Sequence, residues 1–132
     1  MKKIVFIVLF VVSLVADLKT LTTKQVETIV KDGKIAVIDI RRDDEFKKYG
    51  VIKGSHKLTF FDNRGAYDVE KWMAKFTKIV KTKDTPFVLV CAHANRTKVV
   101  GKFLSDNGYK NTQELDGGIN YGWLDKGKKT IK

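Results

Sequence analysis

Two short, unbroken apolar runs, Ile35-Ala36-Val37-Ile38 ending in Asp39 and Phe87-Val88-Leu89-Val90, constrain the fold of this chain most. A strand with one wet face alternates apolar and polar residues. These runs do not alternate, so both faces of each strand need cover. Helical patterns lie between and around them. Thr22-Thr23-Lys24-Gln25 is a helix start of capping-box type, and Val26, Ile29 and Val30 form one face before the stop at Asp32-Gly33. Asp43 to Lys48 carries acids at its start and lysines at its end, which suits a helix dipole. From Asp68 to Val80, the residues Val69, Trp72, Met73, Phe76, Ile79 and Val80 recur at helical spacing. A further helix from Thr97 to Asn107 is expected to bury Val99, Val100, Phe103 and Leu104, with Gly108 as its left-handed stop. His56-Lys57-Leu58 and Asn111 to Leu115 read as further short strands, and Ile119 to Leu124 as a last short helix. Strands alternating with helices predict an α/β domain, a central mostly parallel sheet with helices on both faces.

In such sheets ligands bind beyond the carboxyl ends of the strands. Cys91 stands at the end of the second run, and Asp39 and Arg41 at the end of the first, so both point to one edge. Cys91 opens the segment Cys91-Ala92-His93-Ala94-Asn95-Arg96 and leads into a helix. Backbone N–H groups and the helix dipole there favour an anion, and a thiolate so placed is a nucleophile. If the segment curls, its amides form an anion nest that can hold a thiolate, a persulfide or a docked oxyanion. Small Ala92 and Ala94 leave the cradle open, Arg96 adds a permanent charge, and Asn95 or Thr97 can cap the helix. A bland reading stands beside this one, in which Cys91 is a buried core residue and Arg96 a surface one.

The N-terminus carries Lys2-Lys3, the apolar stretch Ile4 to Val12, then Ser13-Leu14-Val15-Ala16, the pattern of a secretory leader. Ile4 to Val15 is twelve residues, short of the roughly 20 that span a bilayer. Residues 1–16 are therefore expected to be a signal peptide cleaved after Ala16, leaving no stable membrane span. Residues 17–132 then form one domain, with its core at about 18–124 and a frayed tail from Gly127. Export, most simply to a bacterial periplasm, makes the single cysteine informative. One thiol forms no internal disulfide, so in an oxidising compartment it is buried or has a use. Removing Lys2 and Lys3 lowers the formal charge from +11 to +9. The lysines are scattered rather than blocked with aromatics, which argues against nucleic acid and for a solvated basic surface that attracts small anions.

Four segments in order resemble a single-domain rhodanese, a sulfurtransferase module. They are Val37-Ile38-Asp39-Ile40-Arg41 with Glu45-Phe46, the turn Ile52-Lys53-Gly54-Ser55, Val88-Leu89-Val90-Cys91 with the loop to Arg96, and Leu115-Asp116-Gly117-Gly118-Ile119 with Trp123. The resemblance spans Leu18 to Trp123. It implies the rhodanese-like fold and a sulfur relay in which Cys91 takes a sulfane sulfur from a donor, thiosulfate or a persulfide. A thiol or cyanide-type acceptor, or a protein acceptor, then removes it. On that reading Cys91 and Arg96 are catalytic, Ala92, His93, Ala94, Asn95 and Thr97 form the substrate-binding loop, and Asp39 and Arg41 support it. No metal or cofactor is called for. The chain departs from the family at Ala92, where thiosulfate-specific members often carry a basic residue, at Val51, where a histidine is common, and at Ala94, where many have glycine. An alanine held at positive φ there would cost about 1 kcal/mol.

Three rivals are weighed. A cysteine phosphatase or arsenate reductase uses a loop one residue longer than the four residues between Cys91 and Arg96. A thiol-disulfide oxidoreductase needs a second cysteine, and its place is taken by Ala94. A sulfur carrier or partner-binding module without turnover fits the same residues as the enzyme.

Overall fold

The computed structural model describes residues 17–132, together with Ile7. The expected leader, apart from Ile7, lies outside the described residues.

Five strands form one sheet: β1 (Lys19–Leu21), β2 (Ala36–Asp39), β3 (His56–Lys57), β4 (Phe87–Val90) and β5 (Thr112–Leu115). Their order is β1-β5-β4-β2-β3, and every pairing is parallel. The helices are α1 (Thr23–Asp32), α2 (Asp43–Tyr49), α3 (Val69–Ile79), α4 (Arg96–Asp106) and α5 (Gly118–Gly122), followed by a 3-10 turn at Leu124–Lys126. The fold is the expected one, and its sheet is parallel throughout.

The pleat divides each apolar run between two cores. Ile38, Phe87, Leu89 and Cys91 face one side, where Trp72 and Phe76 of α3 and Val100 and Leu104 of α4 pack. Val37, Val88 and Val90 face the other, with Val26 of α1, Ile119 of α5, Leu115 and Trp123. All four β4 residues are 0% exposed. Burying such a side chain is worth about 1.5–3 kcal/mol, which is why this run contains no polar residue.

Local signals hold in detail. Thr22 accepts from the Gln25 amide at 3.2 Å and its own amide donates to Gln25 Oε1 at 2.9 Å, closing the capping box of α1. Asp68 caps α3 through the Lys71 amide at 3.0 Å.

Two expectations are corrected, and one strand is found where none was expected. Val99 is 59% exposed, not buried, because α4 turns only its Val100 and Leu104 stripe to the sheet. Strand β1 has no apolar run to announce it; its two exposed residues and Leu21 pair with β5 at the sheet edge. The tail is not frayed. Val51 and Ile131 exchange backbone hydrogen bonds at 2.8 Å, Thr130 Oγ1 donates to the Tyr49 carbonyl at 2.7 Å, and Trp123 Nε1 to the Lys129 carbonyl at 2.9 Å. Polar tail residues found main-chain partners that no local pattern encodes. Gly50, at φ 73°, makes the approach feasible, since a Cβ there would lie 2.6 Å from Thr130 Oγ1.

Candidate functional site

The sheet order reverses between β2 and β4. The chain leaves β2 toward β3 on one side and β4 toward β5 on the other, so a crevice opens beyond their carboxyl ends. Asp39 is in register with Val90, and the Ile40 amide donates to the Val90 carbonyl at 3.0 Å. The two segments picked from the sequence therefore lie side by side, with Cys91 one residue beyond the ladder.

After Cys91 the chain curls. The Cys91 carbonyl accepts from the Ile119 amide at 2.8 Å, and the Ala92 carbonyl from the Asn120 amide at 3.0 Å. A trans peptide sets its N–H opposite its carbonyl. The amides of Ala92 and His93 are thus turned away from α5 and into the loop. Ala94 is left-handed at φ 64°, followed by Asn95 in the right-handed region. Alternation of this kind gathers successive N–H groups into an anion-binding concavity. Among the described residues, the amides of Ala92, His93, Ala94 and Asn95 have no protein acceptor. Gly118 permits the close contact with α5, because a Cβ on it would sit 2.5 Å from the Ala92 carbonyl oxygen.

Cys91 is 0% exposed, and burial alone suits a core cysteine equally well. The nest lies above it and a polar chain beneath it. Its Sγ–H donates to Thr97 Oγ1 at 3.6 Å, and Thr97 Oγ1 donates to Glu114 Oε1 at 2.8 Å. Glu114 Oε2 accepts from Thr20 Oγ1 at 2.8 Å and Lys98 Nζ at 2.5 Å.

The other predicted residues divide by role. Arg96 does not point a free charge at the thiol. It grips Glu45 in a two-pronged pair, both bonds 2.7 Å, tying the start of α4 to α2. Burial pushes the Glu45 carboxyl up, but the hydrogen bonds and charges of Arg96 and Arg42 outweigh it and hold it below its ordinary range. Asp39 and Arg41 are both 0% exposed and bonded at 2.9 and 2.7 Å, and Arg41 Nη2 also donates to the Gly50 carbonyl at 2.7 Å. They clamp the loop after β2 and do not line the nest. His93 and Asn95 are exposed on the loop, and the His93 ring lies 4.6 Å from that of Tyr121. Neither Asn95 nor Thr97 caps α4. Asn95 makes no side-chain cap bond, and the Thr97 hydroxyl is committed to Glu114.

Glu45 and Glu114 were missed as site residues. Glu45 reads as an N-terminal helix acid, and only the crossing of α2 and α4 shows its partner. Glu114 left one trace, a charged residue in a strand otherwise suited to burial. No group of three His, Cys, Asp or Glu that could hold a metal is present among the described residues, and no helix among them is long and apolar enough to cross a membrane.

This fold and loop define a class, parallel α/β domains that hold a cysteine beneath an amide-lined turn at the sheet's switch point. Comparison with known proteins narrows it. The chain belongs to the rhodanese-like domain family, whose model matches residues 22–125. It is 26% identical over 103 residues to the thiosulfate sulfurtransferase GlpE of Tolumonas auensis, covering 78% of this chain and 85% of that protein. The polysulfide-sulfur transferase homodimer of Wolinella succinogenes superposes with a TM-score of 0.66 at 24% identity, covering 87% of this chain and 79% of that one. A protein of unknown function from Rhodopseudomonas palustris, possible tyrosine phosphatase, gives 0.64 at 26% identity, covering 86% and 85%.

Proposed function

We propose that the protein is a sulfurtransferase that carries a sulfane sulfur on Cys91 as a persulfide. One observation carries this reading: the acceptor-free amides of Ala92 to Asn95 curl beyond a cysteine whose own carbonyl is turned away to α5. The Cys91 thiolate attacks the outer sulfur of a donor. A sulfur–sulfur bond forms, and the donor's bond to that sulfur breaks with its electron pair leaving on the donor remnant. The persulfide's charge then rests on the outer sulfur, one atom further into the nest. Amides already aimed at that charge stabilise it without reorganising. An acceptor thiol or cyanide takes the outer sulfur, and the electron pair returns to Cys91.

Thiosulfate, a persulfide or a polysulfide fits this chemistry, and the likeness to GlpE supports the first. Ala92 supplies no positive charge for a doubly charged donor such as thiosulfate or polysulfide, which favours a singly charged persulfide. The possible phosphatase among the similar structures gives the phosphatase reading its one support. Four residues between Cys91 and Arg96, and an Arg96 engaged by Glu45, leave it without the longer loop and free guanidinium that a phosphate needs. We further propose that residues 1–16 export the protein to the periplasm, on the strength of their basic-then-apolar pattern.

The deciding measurement is the mass of the protein taken from its native compartment and again after incubation with each donor. Loss of residues 1–16 and a gain of about one sulfur atom, by the chemistry of a reactive thiol, are expected, and Cys91→Ser abolishes the gain. Sulfur uptake by the serine variant, or none by the parent with any donor, overturns the reading.

A further inference from the structure

Glu114 has no part in the relay just described, yet it is a fully buried carboxylate two hydrogen bonds from the thiol. Its partners set the direction of every bond in the chain. A carboxylate only accepts, and Lys98 Nζ only donates. A hydroxyl has one proton, and Thr97 gives its proton to Glu114 Oε1. Toward Cys91 the Thr97 oxygen therefore presents lone pairs and receives the S–H. From Thr97 a thiolate at Sγ would need the opposite, a donor in place of an acceptor. Thr97 could become that donor only by withdrawing its proton from Glu114 Oε1. Oε2 would keep Thr20 and Lys98, but Oε1 would be left buried and unpaired, which is strongly unfavourable.

We propose that Glu114, acting through Thr97, restrains Cys91 in its neutral thiol form, making the Thr97 hydroxyl a two-position switch on the reactivity of the nucleophile. Glu114 is a positioning residue: it touches neither donor nor acceptor. The proposal's place in the reaction rests on the sulfur-transfer reading, while the restraint on the thiol stands on the hydrogen bonds alone. The other charged groups around Cys91 are engaged or turned outward. On the α4 side Arg96 is paired with Glu45 of α2. On the β2 side Asp39 is paired with Arg41. On the loop His93 is exposed against Tyr121. On the β5 side the charges are Glu114 itself and Lys98, whose side chain is 58% exposed.

Because Cys91 is the one cysteine of the chain, alkylation of the full protein by iodoacetamide, followed by mass across a pH series, reports this thiol without interference. Glu114→Gln keeps the shape and removes the charge; its amide oxygen is drawn to the donors Lys98 and Thr20, so its NH2 faces Thr97 and frees the hydroxyl proton. Its alkylation midpoint is expected to fall by about one pH unit, tenfold in thiolate at a given pH. Adding Thr97→Val to that variant removes the donor and returns the midpoint toward that of the parent. Lys98→Met leaves the Glu114 charge less compensated and raises the midpoint by about half a unit. An unchanged or higher midpoint in Glu114→Gln overturns the proposal. If that variant does not fold, the exposed Lys98→Met decides, and a midpoint that does not rise overturns it. No sulfur donor enters this assay. Shifted midpoints in a protein that never loads sulfur would strike the proposed reaction and leave the restraint, and sulfur loading with unmoved midpoints the reverse.

Discussion

Ala94 is a residue whose conformation runs against its chemistry. It is the one non-glycine with positive φ among the described residues, at 64°. An L-residue there pushes Cβ toward the following carbonyl, at about 1–2 kcal/mol. The positive φ whose cost the sequence raises at this position is the conformation found. Strain held at a functional turn needs its surroundings to enforce it, and the grip of α5 on the Cys91 and Ala92 carbonyls does so. Ala94→Gly is expected to raise stability by about 0.5–1 kcal/mol, part of the relief being offset by the entropy that glycine adds to the unfolded chain. Urea unfolding at neutral pH checks it; a loss of stability would mean that the alanine methyl, 6% exposed as part of its residue, packs better than it strains.

Between elements, the site is held by pairs that join helices far apart in sequence. Arg96 at the start of α4 and Glu45 of α2 are separated by 51 positions, yet form a two-pronged ion pair beside the loop. Glu45→Gln is expected to lose about 1–3 kcal/mol at neutral pH, and Arg96→Ala to lose the same pair and loosen the loop. The pH dependence has a definite sign. The Glu45 carboxyl is held below its ordinary 4.5 in the folded protein. Its contribution is therefore complete above that value and disappears as pH falls through the lowered one. Parent and Glu45→Gln unfolding energies should converge as pH falls below 4.5 and through that lowered value; a gap that stays constant would show that the pair adds no charge-dependent stability.

At the scale of the whole molecule, the tail closes the domain. Residues 128–131 tie Trp123, Tyr49 and Val51 together through five main-chain or side-chain hydrogen bonds, and Lys128 pairs with Glu27 of α1. Deleting residues 128–132 is expected to remove about 4–5 kcal/mol, at roughly 1 kcal/mol per bond net of hydration, and to lower Tm by about 15–20 °C. A calorimetric Tm within a degree or two of the parent would make the tail an ornament of the fold. Deletion leaves Cys91 and its nest intact, so sulfur loading below the new Tm should persist.

How much of this was legible in the chain varies by residue. The runs before Asp39 and Cys91, the capping box at Thr22 and the stripe through Trp72 and Phe76 were read directly, because burial on both faces, capping and helical spacing are local signals. So was the meeting of Asp39, Arg41 and Cys91 at one edge, since parallel strands all end on the same side. Strand β1, the exposure of Val99 and the docking of Thr130 and Ile131 were not, because each depends on a neighbour distant in sequence. By itself the sequence determined the parallel α/β architecture, the place of the cysteine at a strand end and its resemblance to the rhodanese family. Only the tertiary structure decided that Arg96 answers to Glu45, that Ala94 is left-handed, and that Glu114 reaches the thiol through Thr97. Periodicity reports which face of an element is dry. The direction of a hydrogen bond depends on which donor and which acceptor the folded chain brings within 3 Å.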